Sequence, residues 1–167
     1  LSGEGLDIKS VLKAAQSLAS EIRLDRLLSQ MLRIVLENAG AERGLVLLSR
    51  NEKLLVEAAA TAQSTDVTVL QALPPAACPD LCLAVVNYVA RTGLPVVLSH
   101  AAESGEYASD PYIRRRRVKS LLCVPAQKGG KLVAMLYLEN NLSEGCFTKD
   151  RIELLRVLSA QMAISIE

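Results

Sequence analysis

The sequence predicts an α+β domain: a central antiparallel sheet of five or six strands, with helices packed on one face and ligand loops on the other. Three observations carry this reading. Lys119 to Asn141 holds two apolar runs around a Gly129-Gly130 turn flanked by lysines, which is the pattern of an antiparallel hairpin. Ala41–Ser49 and Leu54–Thr61 form a second such pair around Asn51-Glu52-Lys53. Helical patterns rich in apolar residues stand before the first hairpin and after the second, and one sheet surface can bury both.

Along the chain, Ile8, Val11, Ala15, Leu18 and Ile22 recur at three- and four-residue spacing, with Lys9, Lys13, Glu21 and Arg23 outside that seam. The strict spacing favours a coiled-coil dimer seam over an amphipathic helix lying on its own domain. Residues 1–23 are therefore expected to be a linker and dimerisation helix ahead of a domain at 24–167. Arg23 to Asn38 is apolar on more than one face, and Gly40 supplies a left-handed stop. Residues 62–79 read as a polar, Pro-rich loop with a short strand at Val67 to Leu70. Leu81 to Arg91 is a helix ending at Gly93, and Pro95 to Leu98 a short strand. His100 to Pro111 is a loop rich in Gly, Ser and Asp, followed by a helical turn at Tyr112 to Arg117. A last helix starts at Thr148, and its Leu155, Leu158 and Met162 are expected to aid self-association.

At 167 residues and 18.0 kDa the chain is long enough for one domain with a sizeable core. Its 19 basic and 18 acidic residues nearly cancel, which argues against a nucleic-acid footprint. No apolar stretch reaches membrane-spanning length and no signal peptide opens the chain, so a cytoplasmic protein without a membrane partner is expected. The start at Leu1 and the helical pattern running to Glu167 read as a piece of a longer protein. Cys78, Cys82, Cys123 and Cys146 are expected to be reduced thiols, because a core of this size needs no staple.

Few residues suggest chemistry. Arg114, Arg115, Arg116, Arg117 and Lys119 cluster within six positions. Guanidinium forks suit an anion site, whereas a solvated turn balanced by Glu103, Glu106 and Asp110 is the plainer explanation. The Cys78 and Cys82 spacing fits neither a redox Cys-x-x-Cys nor a zinc knuckle, and no metal site is expected. His100 is the sole histidine, without a partner set for nucleophilic catalysis. Glu139-Asn140-Asn141 reads as a strand end capping a loop.

The segment KSLLCVPAQKGGKLVAMLYLENN followed by FTKDRIELLRVLSAQMAISIE resembles the C-terminal half of a GAF domain, a small sensor module of signalling proteins. RLLSQMLRIVLENAGAERGLVLLSRNEKLLVEAAAT resembles that family's opening helix and first hairpin. AVVNYVARTGLPVVLSHAAESGEYASDPY is similar to its middle helix, short strand and ligand loop. The likeness is greatest to the GAF domains of bacterial sensor histidine kinases. It implies a sensor at 24–167 that binds a small molecule, relays dimer geometry, or both, with a covalently linked kinase as output.

The resemblance also lets individual chemistries be checked. The cyclic-nucleotide type has an Asn-Lys pair and a Phe followed by Asp-Glu; here Asn140-Asn141 lacks the Lys, and Phe147 is followed by Thr148-Lys149-Asp150-Arg151. The bilin type uses a Cys-His dipeptide, which this chain lacks. The free methionine sulfoxide reductase type has its reactive Cys where Ser109 stands, and a hydroxyl without a base is a poor substitute for a thiolate. No catalysis and no identified cofactor are therefore expected. A transcriptional activator's sensor domain and a thiol-redox domain are the alternatives, Cys82 being the residue that keeps the reductase type open. The candidate ligand residues are His100, Tyr107, Asp110, Tyr112, Arg114, Arg117, Leu122 and Tyr137, where hydroxyls and cations gather beside an apolar sheet.

Overall fold

The computed structural model describes residues 24–64 and 67–165. The Ile8–Ile22 seam lies outside them. Helix α1 spans Leu24–Ala39 and ends at Gly40, whose φ of +72° is the left-handed stop. Strands β1 (Arg43–Arg50) and β2 (Lys53–Thr61) form the first hairpin, and β3 (Val67–Leu73) runs three residues beyond the expected Val67–Leu70. A 3-10 turn at Pro75–Ala77 leads to α2 (Leu83–Thr92) and β4 (Val96–Leu98). Next come α3 (Pro111–Arg116), β5 (Ser120–Lys128), β6 (Lys131–Asn140) and α4 (Lys149–Ser165).

The strands form one six-stranded sheet in the order β3-β2-β1-β6-β5-β4, antiparallel at every pairing. Both faces of its centre are covered, so the middle strands read as unbroken apolar runs while their side chains still alternate. One face carries Val46, Leu48, Leu122, Val124, Leu136 and Leu138 beneath Leu28 and Leu32 of α1 and Leu155 and Met162 of α4. The other carries Leu45, Leu47, Leu121, Cys123, Met135 and Tyr137, covered by Val85, Val86 and Val89 of α2 and by Ile113 and Val118. The loop face thus holds a helix of its own as well as loops. Gly44 lets α1 lie close on β1: a Cβ there would meet Leu138 Cδ2 at 2.8 Å and Leu32 Cδ1 at 3.0 Å.

Three of the expected self-association residues have another task. Leu155 and Met162 are fully buried in the core of their own chain and Leu158 is partly buried beside them. Two helices sharing one sheet face must also pack on each other, and that contact uses the inner side of α4. Its outer side instead exposes Leu154, Val157 and Ile164.

The β1–β2 turn makes a stability test. Asn51 and Glu52 have φ of 51° and 65°, the paired left-handed conformation of a type I′ turn, which Asn tolerates and Glu does not favour. Glu52→Gly is expected to stabilise the domain by about 1 kcal/mol, the relieved strain exceeding the added chain entropy. Urea unfolding checks it, and a destabilised variant would refute the reading.

Candidate functional site

The sheet register lays the foundation of the site. Arg43 of β1 and Leu121 of β5 flank Glu139 of β6, while Tyr137, two residues earlier on β6, lies opposite Cys123. All face the α2 side. Asp110 then positions the lid: its carboxylate accepts from the Tyr112 and Ile113 N–H groups at 2.9 and 3.3 Å, capping α3 at its first turn. That helix turns Tyr112 and Ile113 inward onto the sheet.

Glu139 is only 1% exposed. Its Oε2 accepts from the Tyr112 hydroxyl at 2.7 Å and from the Tyr137 hydroxyl. The Cys82 N–H, at the start of α2, donates to the Tyr137 oxygen at 2.9 Å. Three elements, β6, α3 and the start of α2, are thereby joined around one carboxylate. Its Oε1 has no hydrogen-bond partner among the described residues.

A second charged layer lies beside the first. Arg43 donates to the Asp80 carboxylate and carbonyl, both at 3.3 Å. Arg116 pairs with the same carboxylate, donates to the Pro79 carbonyl at 3.3 Å, and lies 5.6 Å from the centre of the Tyr112 ring. Such cation–ring contacts hold a guanidinium flat over an aromatic face.

The electrostatics follow from burial and from these partners. Burial pushes the Glu139 carboxyl above its ordinary value, against the opposing pull of the two phenols and of Arg43. Burial would raise Asp80 too, but its bond to Arg116 and the charge of Arg43 hold it below the usual carboxylate range. Tyr112 and Tyr137 are raised by burial and by Glu139, so both stay protonated donors. Burial also raises all four cysteines, Cys82 to about 12. Reactive cysteines need the opposite, a stabilised thiolate.

The expected ligand residues separate into groups. Tyr112 and Tyr137 meet at Glu139, and Tyr107 is partly buried against the apolar core on the same side of the sheet. Asp110 caps a helix. His100 is exposed and pairs with Glu144; with Glu103 these place three ligating atoms within 4.8 Å, all of them facing solvent. Arg114 and Arg117 are exposed, and Arg117 ends α3 with a φ of 54°. Of the arginine run it is Arg116 that turns toward the site. Leu122 lies on the opposite face, beneath α1 and α4, because side chains alternate along β5 and Leu121 takes the inward position.

Arg43, Asp80 and Glu139 were not anticipated as site residues, and Cys82, considered from the sequence for its thiol, takes part through its backbone N–H. One signal was present: Glu139 follows Tyr137 by two in an otherwise apolar strand, which places both on one face. Loop capping belongs to Asn140, whose side chain accepts from the Leu142 and Ser143 N–H groups at 2.8 and 2.9 Å.

The family model described as GAF domain matches residues 23–166. Among curated proteins, the chain is 42% identical over 86 residues to the hybrid signal transduction histidine kinase G of Dictyostelium discoideum, covering 52% of this chain and 2% of that protein. It is 24% identical over 166 residues to the peroxide stress-activated histidine kinase mak3 of Schizosaccharomyces pombe, covering 96% of this chain and 7% of that protein. Among solved structures, the GAF domain of a two-component sensor histidine kinase from Bacillus halodurans superimposes with a TM-score of 0.61 at 19% identity, over 86% of this chain and 92% of that one. The chain thus spans a small fraction of the kinases it resembles.

Proposed function

The chain belongs to the GAF domain family, and from that premise we propose that it is the non-catalytic, cytoplasmic sensor of a longer histidine kinase. A small molecule would bind between the α2 face of the sheet and the 100–117 loop. The observation that supports this most is the buried Tyr112–Glu139–Tyr137 cluster, whose second carboxylate oxygen has no partner among the described residues. A purely structural core has little reason to bury a half-satisfied carboxylate, whereas a site that exchanges ligand contacts for internal ones does. Kinase output is favoured over a transcriptional activator because two curated relatives are histidine kinases. The raised, buried thiols weigh against a thiol-redox role. Among the described residues no helix is long and apolar enough to cross a membrane.

The signal would pass through a homodimer. Leu154, Val157 and Ile164 give α4 an outward apolar stripe at helical spacing, suited to a second copy and continuous with any helix that follows. Autophosphorylation of the full-length protein tests sensing and relay together. Glu139→Gln is expected to change the response to stimulus while keeping basal activity, and Val157→Glu to uncouple response from activity. Identical responses in parent and both variants would remove the proposal.

A further inference from the structure

We propose that His100, Glu103 and Glu144 form a zinc site that clamps the 100–110 loop to the connection leading into α4. One ligating atom from each residue lies within 4.8 Å of the other two. Backbone contacts on two distant segments bring them together. After β4, the Glu103 and Ser104 N–H groups both donate to the His100 carbonyl at 3.1 Å, and the turn they close keeps Glu103 beside His100. After β6, the Gly145 N–H donates to the Ser99 carbonyl at 2.9 Å, which brings Glu144 alongside His100. Ser120 of β5 anchors this second segment: its hydroxyl donates to the Ser143 carbonyl at 2.8 Å and accepts from the Cys146 N–H at 3.2 Å. The three side chains therefore converge because their backbones are held, although His100 and Glu144 stand 44 positions apart.

Charge and donor type point to a divalent cation. Glu144 pairs with His100, whereas Glu103 makes no ion pair among the described residues. An imidazole, even when protonated, balances only one of two neighbouring carboxylates, and an ion of charge two balances both. One imidazole nitrogen with two carboxylate oxygens is a zinc donor set, while magnesium and calcium take oxygen ligands. At zinc–ligand distances of about 2.0–2.2 Å, tetrahedral donors stand about 3.4 Å apart, so rotation of these exposed side chains closes the site around the ion. Three protein ligands leave a fourth position open to solvent. Zinc here would tie the loop that carries Tyr107 and Asp110 to the segment from which α4 starts.

The test is a calorimetric titration of the chelator-treated chain with zinc chloride, repeated with cobalt chloride to record the visible spectrum. One zinc per chain is expected, with a higher melting temperature in excess zinc. His100→Ala and Glu103→Gln should each weaken binding about tenfold or more. Glu103→Gln, with no ion pair to lose, should melt with the parent when metal is absent. The cobalt spectrum should show no thiolate charge-transfer band, because all four cysteines are buried away from these ligands. The proposal is overturned by any of three results: no saturable zinc binding, unchanged affinity in Glu103→Gln or His100→Ala, or a thiolate band in the cobalt spectrum.

Discussion

Replacing Glu139 with alanine is expected to destabilise the domain by about 3–5 kcal/mol, whereas glutamine should cost no more than about 1 kcal/mol. Alanine strands two buried phenol donors, each worth roughly 1–3 kcal/mol when orphaned, and leaves Arg43 without the charge it faces across the strands. The glutamine amide oxygen still accepts both hydroxyls and carries no charge to desolvate. The comparison has a pH signature. Because burial raises Glu139 above the ordinary carboxyl value of about 4.5, the folded state binds that proton more tightly than the unfolded chain. Its contribution to stability is therefore full below about pH 4.5 and is lost as pH rises through the folded value. Asp80 runs the other way: its lowered pKa contributes stability above about 3.8 that disappears on acidification, but it is common to parent and variant and cancels between them. Urea unfolding across pH 4 to 8 should show Glu139→Gln gaining on the parent as pH rises and then levelling off. A Glu139→Gln protein that falls further behind the parent as pH rises, or alanine and glutamine variants of equal stability, would contradict this picture.

Leu122→Ala is expected to cost about 2–5 kcal/mol, the range for deleting a fully buried leucine side chain under two packed helices. Its informative partner is Tyr112→Phe, which removes one hydroxyl from the other face. With the sheet between them the two side chains share no contact, so the double variant should equal the sum of the singles within about 0.5 kcal/mol. A coupling energy above about 1 kcal/mol would mean that Leu122 and Tyr112 line one space after all.

Much of the architecture was legible before any coordinates. Gly129-Gly130 and Asn51-Glu52 bracketed two hairpins, Gly40 and Gly93 stopped two helices, and period-two and period-3.6 patterns separated strands from helices. These signals are local: a turn needs its own φ angles, and a helix needs its own apolar stripe. The site was half legible. Tyr112 and Tyr137 were recognised as hydroxyl-bearing residues beside an apolar sheet, and the arginine run as a source of cations. Which arginine turns inward was not readable, since Arg114 to Arg117 are chemically alike and only the capping of α3 by Asp110 sets their directions.

What the sequence by itself determined is the set of elements, their order and the antiparallel α+β class, because each rests on spacing and turn chemistry within a few residues. The tertiary structure alone decided which face each strand residue takes and which distant groups meet. Leu122 fell to the helix face and Leu121 to the site face by strand register. Leu155 and Met162 were drawn into their own core by α1 rather than left for a partner. Glu139 met Tyr112 from 27 residues away, Arg43 met Asp80 across 37, and Cys82 met Tyr137 across 55. Such meetings depend on how strands pair and how a lid helix docks, and no short window of sequence carries that information.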